Sequence, residues 1–346
     1  MSSGAYRLNP HRLGRRAALA LGAVAPLLLP LARRPRAQTL DKVIFNTDWR
    51  AQAEHGGFYQ AVAAGIYARH GIDCDLRQGG PNLNIGQLLL AGRVDMIMSN
   101  SFAAFDFIRE DAPFFCIAAI FQKDPQVLIG HPGSGLDGFE KLKGRTVLIG
   151  SGGRITYWPF LRAKYGLSDQ QLRPYNFSMA PFLADKNAVQ QGILSSEPYA
   201  IEQALGAAPE VLLIADAGFS AYQGGIAVSR KMASEKKDLV QRFVDSTLEG
   251  WAQYIKGGPD IEAANALIKQ ANPEQTDGRL AYALKVFAER GIVMSGDALK
   301  DGIGAMSTER WQSFYESMVA VGVLPVGLDV ARTHTLEFVN KGIGKS

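Results

Sequence analysis

DWRAQAEHGGFYQAVAAGIYARHGIDCDLRQGGPNLNIGQLLLAG, residues 48–92, decides the fold. Just before it, Val43 to Asn46 read as an apolar strand running into Thr47, Asp48 and Trp49. Gly56-Gly57 open a helix that carries Phe58, Val62, Ile66 and Tyr67 at helical spacing, and Gly71 stops it. Residues 72–76 read as a second strand, and Gly79-Gly80-Pro81-Asn82 as a loop. A helix with Ile85, Leu88, Leu89 and Leu90 follows, and Gly92-Arg93 end it before a third strand at 94–98. Strands and helices alternating at these lengths imply parallel βαβ units. Loops leaving the carboxyl ends of parallel strands are where such sheets bind ligands. Trp49, Glu54, His55, Asn82, Asn84, Ser99, Asn100 and Ser101 fall in those loops.

Downstream, Phe102, Phe105 and Ile108 stripe a helix, and strands are predicted at 114–121 and 126–130. The Lys-Asp-Pro turn ending at Pro125 is the candidate first crossing into a second lobe. A strand at 146–149 leads into Gly150-Ser151-Gly152-Gly153-Arg154, which opens a helix over 155–164. Amide groups at that helix start suit an anion or another hydrogen-bond acceptor; a plain strand-to-helix turn is the bland alternative. It is not a dinucleotide fingerprint, because Ile155 stands where the third glycine belongs. A strand at 172–177, a short helix at 181–191 and a strand at 211–215 follow, with the return crossing at 222–228. From Ser229 onward the pattern is helical, with segments at 239–255, 261–270, 277–289, 297–303 and 309–320.

The formal charge of +4 misleads. Residues 1–37 hold seven arginines and no acid, so 37 basic residues fall to 30 against 33 acidic ones in the remainder. A nucleic-acid partner is therefore not expected. The same stretch reads as an export signal: Arg15-Arg16 precede a mildly apolar run, as in twin-arginine signals, with a Sec-type signal or a lipid-free anchor as alternatives. A soluble, periplasmic, monomeric protein starting near Gln38 is expected. Cys74 and Cys116 lie in predicted strands and are expected to be buried free thiols rather than a bridge.

Catalytic constellations are sparse. There is no Gly-x-Ser-x-Gly elbow, and the five histidines show no metal-ligand spacing. Neither a cofactor nor a metal is expected, and the chain is not read as an enzyme. Aromatic residues instead collect around the predicted cleft: Trp49, Tyr59, Phe121, Tyr157, Trp158, Tyr175, Tyr199 and Tyr222. Each candidate has a plain alternative: Trp49 in the core, His55 and the asparagines as caps or turns, Glu54 solvated, one of Tyr157 and Trp158 facing away.

The segments EHGGFYQAVAAGIYARHGID, LLLAGRVDMIM and LKGRTVLIGSGG resemble the periplasmic solute-binding proteins of the sulfonate/nitrate/thiamine-precursor group. Within it they are most similar to the binding proteins for thiamine pyrimidine precursors and to the related fungal pyrimidine synthases. The likeness runs over about residues 40–291. It implies a type II periplasmic binding protein fold, two α/β lobes joined by a two-segment hinge. Lobe I would comprise 40–124 and 225–346, and lobe II 125–224. It also implies capture of a small molecule for an ABC permease of the inner membrane. The synthases carry a cysteine-rich metal motif that this chain lacks, although His55 falls where they place a histidine. Where the group has a Gly-Lys/Gln-Val-Asp-Ala segment, this chain has Ser195-Ser196-Glu197-Pro198-Tyr199.

The expected ligand-binding set is Trp49, Glu54, His55, Tyr59, Asn82, Asn84, Ser99, Asn100, Gln122, Ser151, Gly152, Gly153, Tyr157, Glu197, Tyr199 and Tyr222. Arg154 is nearly alone as a basic residue at the cleft loops, which disfavours a sulfonate or nitrate. Stacking rings with one or two carboxylates suit a flat heteroaromatic, and a pyrimidine-type thiamine precursor is expected. Another small solute (a sulfonate, nitrate or riboflavin-like molecule), a synthase-like enzyme, or a sensor docking to a membrane signalling protein are the alternatives.

Overall fold

The computed structural model describes residues 39–80 and 83–345. The export signal read over residues 1–37, and the candidate Asn82, lie outside the described residues.

Ten strands are named here in chain order: β1 (Asp41–Asn46), β2 (Ile72–Arg77), β3 (Met96–Ser99), β4 (Phe114–Phe121), β5 (Gln126–Gly130), β6 (Val147–Ile149), β7 (Leu172–Pro174), β8 (Val189–Ile193), β9 (Glu210–Leu213) and β10 (Gln223–Ser229). They form two five-stranded sheets, ordered β2-β1-β3-β10-β4 and β7-β6-β8-β5-β9. In the first, β1 is parallel to β2 and β3, and β10 is antiparallel to β3 and β4. In the second, β6 is parallel to β7 and β8, and β5 is antiparallel to β8 and β9. The two sheets thus share one topology, and each holds a single antiparallel strand, β10 or β5, that arrives directly from the other sheet. The crossings are residues 122–125 and 214–222. They are tied together by Asp216, which binds Lys123 at 2.9 Å and Arg290 at 2.8 Å.

On the first sheet, glycines set the helix packing. The helix Gly56–Ala63 lies across the helix Lys237–Tyr254. A Cβ on Gly56 would lie 1.9 Å from the Tyr254 ring, one on Gly57 2.1 Å from Trp251, and one on Gly250 2.3 Å from the Gly57 carbonyl oxygen. The Gly-Gly pair therefore serves close helix approach, beyond opening a helix. Trp251 is fully buried, edge-on to Phe58 and Phe121. β4 is an edge strand yet wholly buried, because the C-terminal chain runs along it: Cys116 N–H donates to Thr333 O at 2.8 Å and Ala119 N–H to Gly304 O at 3.0 Å. A covered edge is not open to pairing with another chain.

Several expected elements differ. The helix after Gly56 is broken at Gly65, whose φ of 63° is left-handed, and Ile66–Arg69 forms a separate turn; Val62 is exposed while Phe58, Ile66 and Tyr67 are buried. The helix expected over 155–164 is two pieces, Ser151–Ile155 and Tyr157–Tyr165, interrupted at Thr156. The helix expected over 181–191 is only Ala180–Ala184, and β8 follows as the centre of the second sheet. The strand expected over 172–177 stops at Pro174. Both cysteines are free; Cys116 is buried but Cys74 only partly so. Burial pushes both thiols up to about 12, so neither is a ready nucleophile.

Candidate functional site

The carboxyl ends of β1, β3, β6, β7 and β8 open toward one cleft between the sheets. The loop after β1 is fixed from several sides. Thr47 Oγ1 donates to Trp49 O at 2.9 Å, Gly79 N–H donates to the same oxygen at 3.0 Å, and Asn272 Nδ2 donates to Ala51 O at 2.9 Å. These bonds place Trp49 at the cleft mouth. The 3₁₀ turn Ala53–His55 then turns Glu54 and His55 into buried positions.

A cavity of about 240 Å³ lies there, walled by Trp49, Glu54 and His55 from the first side and by Tyr175, Phe177 and Glu197 from the second. Asp48, Gln52, Met98, Phe121, Pro125, Gln191, Ser196 and Gln223 also line it. Among the described residues no lysine or arginine lines it directly, but Arg50 and Arg279 line an adjoining recess that shares Trp49, Gln52, Tyr175, Phe177, Ser196 and Glu197 with it, and Arg279 donates to Ser196 Oγ at 3.0 Å. The Trp49 and Phe177 rings lie 5.8 Å apart and those of Tyr175 and Phe177 5.4 Å, an aromatic cluster spanning the cleft. Phe177 holds a left-handed φ of 65° with its side chain largely exposed, an arrangement rare outside glycine and asparagine.

Three carboxyl residues line the cavity: Asp48, Glu54 and Glu197. Glu54 is buried and accepts a hydrogen bond from Ser195 Oγ, which reaches across from the loop after β8. Burial raises its pKa, and the Ser195 hydroxyl and His55 offset only part of that. Glu197, half-buried at the start of the helix Glu197–Leu205, accepts from Ile193 N–H at 2.7 Å. Burial raises its pKa too, against its backbone hydrogen bonds, and the Glu54 charge adds to the rise. His55 Nε2 sits 3.0 Å from Asp48 Oδ1, while its buried Nδ1 has no partner among the described residues.

A second recess shares the walls Tyr175, Phe177, Gln191 and Gln223 with this cavity, so the two are continuous. Asn100, Ser151, Gly152, Gly153 and Tyr222 line it. Gly153 is needed for packing, since a Cβ there would lie 2.6 Å from Tyr157 Oη, whereas Gly152 has nothing within 4 Å.

The remaining candidates lie elsewhere. Tyr59 is buried in the core of the first sheet, where its helix phase turns it inward. Asn84 is exposed and caps the helix Ile85–Leu90, accepting from Gln87 N–H at 3.0 Å. Ser99 is buried in β3, its hydroxyl without a partner among the described residues, and Gln122 is a staple, donating to Ala305 O at 2.8 Å and Ala119 O at 3.1 Å. Tyr157 and Trp158 are both core residues, which corrects the expectation that one of them would face the cleft. Tyr199 packs on Tyr282, ring centres 5.4 Å apart, outside the cavity. Tyr222 reaches the recess, but its hydroxyl is committed to Asp297 and to Ser307 N–H, and Arg310 stacks on its ring at 4.0 Å. Arg154 also serves structure, its Nε donating to Ile149 O at 3.1 Å.

Comparison with known proteins follows the same lines. A family model described as NMT1/THI5 like matches residues 52–260. The riboflavin-binding protein RibY of Chloroflexus aurantiacus is 28% identical over 331 residues, 92% of each chain. The 4-amino-5-hydroxymethyl-2-methylpyrimidine phosphate synthase of Schizosaccharomyces pombe is 26% identical over 129 residues, 37% of each chain. Among solved structures, the periplasmic aliphatic sulphonate binding protein SsuA of Escherichia coli has a similar fold. Its TM-score is 0.64 at 13% identity, covering 84% of this chain and 91% of that one. The chain belongs to the NMT1/THI5-like family, and its fold is that of the periplasmic solute-binding proteins of the sulfonate/nitrate group.

Proposed function

We propose that this chain is the exported substrate-binding component of an ABC importer and that its ligand is a planar nitrogen heteroaromatic, a flavin in the first place. The carrying observation is the cavity's chemistry: Trp49, Tyr175 and Phe177 beside the carboxyls of Asp48, Glu54 and Glu197, with no lysine or arginine among the described residues of its wall. A sulfonate or nitrate would meet the carboxyls of Asp48, Glu54 and Glu197, while the neighbouring Arg279 is already bonded to Ser196 and lies outside the cavity wall. Rings offer stacking, at about 0.5–1.5 kcal/mol per pair beyond area burial. Burial raises the pKa of both Glu54 and Glu197, and the charge of one disfavours ionisation of the other. A carboxyl accepts when ionised and donates when protonated, which suits the carbonyl and imide N–H edge of an isoalloxazine. The relative named for riboflavin binding, matched over 92% of both chains, supports the flavin.

The thiamine pyrimidine precursor is the second reading. An aminopyrimidine also presents a donor beside an acceptor, and the synthase relative supports it over 37% of each chain. In either case capture involves closure of two lobes about residues 122–125 and 214–222.

Titration calorimetry of the exported protein against riboflavin, 4-amino-5-hydroxymethyl-2-methylpyrimidine, ethanesulfonate and nitrate tests this. The expected result is saturable riboflavin binding with quenched flavin fluorescence and no response to either anion. Binding of the pyrimidine alone selects the second reading. Binding of an anion alone overturns the heteroaromatic assignment, and conversion of a ligand to a new product overturns the receptor role.

A further inference from the structure

We infer that the recess continuous with the aromatic cavity is a subsite for a neutral polyhydroxylated chain attached to the ring system. The inference rests on the flavin reading and narrows it to a flavin whose polyol carries no phosphate.

The recess measures about 290 Å³ and adjoins the aromatic cavity along Tyr175, Phe177, Gln191 and Gln223. Its polar wall is made of amides, hydroxyls and one carboxyl: Asn100, Asp124, Gln126, Ser151, Gln191 and Gln223. The amide oxygens of three of these are already taken by backbone N–H groups. Asn100 Oδ1 accepts from Ala103 at 3.0 Å, Gln191 Oε1 from Gly150 at 2.8 Å and Gln223 Oε1 from Gly224 at 3.2 Å. Their NH₂ groups remain as donors. Gln126 is committed the other way round: its Nε2 donates to Asp124 Oδ2 at 3.1 Å, which leaves its carbonyl oxygen to accept. The wall therefore offers three amide donors beside the Gln126 and Asp124 acceptors.

Hydroxyl groups satisfy both kinds of partner, since each donates once and accepts twice. A phosphate dianion only accepts. The phosphate itself offers nothing to the Gln126 carbonyl and would lie near the buried Asp124, and no lysine or arginine among the described residues lines the recess to neutralise it. Burial pushes the Asp124 carboxyl up to about 6, partly countered by its bonds to Gln126, so it accepts from hydroxyls when ionised and donates when protonated.

The test compares three probes by calorimetry on the exported protein: riboflavin, lumiflavin, which has the rings without the polyol, and flavin mononucleotide, which ends the polyol in phosphate. Riboflavin is expected to bind at least about tenfold more tightly than either other probe, because several hydrogen bonds are gained or an unpaired anion avoided. Asn100→Ser keeps the helix cap but removes the NH₂ donor. It should weaken riboflavin by roughly three- to tenfold and leave lumiflavin unchanged, which also certifies its fold. Equal affinity for riboflavin and lumiflavin overturns the subsite while leaving the flavin reading intact. Tighter binding of the mononucleotide than of riboflavin overturns its neutral character. Failure of all three flavins overturns the flavin reading and the subsite with it.

Discussion

The two sheets share a strand order and differ in what stands at their cleft ends. On the first, Glu54 and His55 are buried, and the loop bearing Trp49 is bonded to Gly79 and Asn272 before any ligand arrives. Behind them Gly56, Gly57 and Gly250 bring two helices into backbone contact. On the second, Phe177 is exposed and left-handed, and Ser196 and Glu197 are half-buried. Gly153 and Gly192 are closely packed there, but Gly152 beside the recess has nothing within 4 Å. One side is a prebuilt floor, and the other, on the proposed function, is a wall that a ligand would complete. That division puts affinity in the floor's ring and carboxyl and selectivity in the wall.

The sharpest way to break this comparison is at the glycines. Gly57→Ala sets a methyl 2.1 Å from the Trp251 ring, so helix Gly56–Ala63 must shift off helix Lys237–Tyr254. The expected loss is about 3 kcal/mol in urea unfolding, at the upper end for overpacking. Gly152→Ala should change stability by less than about 0.5 kcal/mol, since nothing lies within 4 Å. Similar losses at both positions would mean that the two sides are equally tight.

Trp49→Ala comes next. It removes a stacking ring and its buried area but no core contact, so flavin affinity should fall roughly tenfold to a hundredfold while the ligand-free melting temperature barely moves. A large melting shift at constant affinity would return Trp49 to the core.

The sequence was most legible where the floor is built. β1, β2 and β4 read as strands because their apolar residues run or alternate without interruption. Trp49, Glu54 and His55 are legible because they follow the carboxyl end of a readable strand, β1; Glu197 is reached only through the family likeness, in the Ser195–Tyr199 segment. The wall was harder. β8, with sequence VQQGI, was hidden in an expected helix because Gln190 and Gln191 break the apolar pattern of a central strand. Gln191 does so because it lines the cleft. Nothing local shows that Phe177 takes a left-handed turn, or that Gln122 reaches Ala305 across 183 residues of chain. Tyr59 and Tyr157 were misplaced because a tyrosine in a short helix gives no sign of which face is inward.

The floor's carboxyl can be probed by pH. Burial raises Glu54 above the ordinary carboxylate range, against the Ser195 bond and His55. The native state then keeps a proton that the unfolded chain has released. Stability from this group is full below the unfolded value of about 4.3 and is lost as pH rises through the native pKa. Glu54→Gln removes that loss while its amide oxygen still accepts from Ser195. Its ligand-free melting temperature, relative to the parent, should therefore climb across that window and level off above it. Parallel curves for the two proteins would mean that Glu54 ionises as freely in the fold as in water.

The smallest expected effect lies in the wall, at Phe177. Its φ of 65° costs an L-residue with a Cβ about 1–2 kcal/mol, and its ring is too exposed to recover that from the core. Two substitutions separate ring from strain. Phe177→Ala removes the ring and keeps the Cβ; Phe177→Gly removes both. Each loses the same contact with the ligand and with Trp49, so both should weaken flavin binding by the same few-fold factor. Their stabilities should differ. Glycine relieves the strained backbone but has more conformational freedom to lose on folding, about 0.5–1 kcal/mol. The net advantage of glycine over alanine should be at most about 1 kcal/mol, read as a higher urea midpoint at unchanged slope. Alanine matching glycine in stability would mean that the turn relaxes once the ring is gone. The ring's own contact with Trp49 would then hold the strained backbone, and the wall would be shaped by the floor rather than by the ligand.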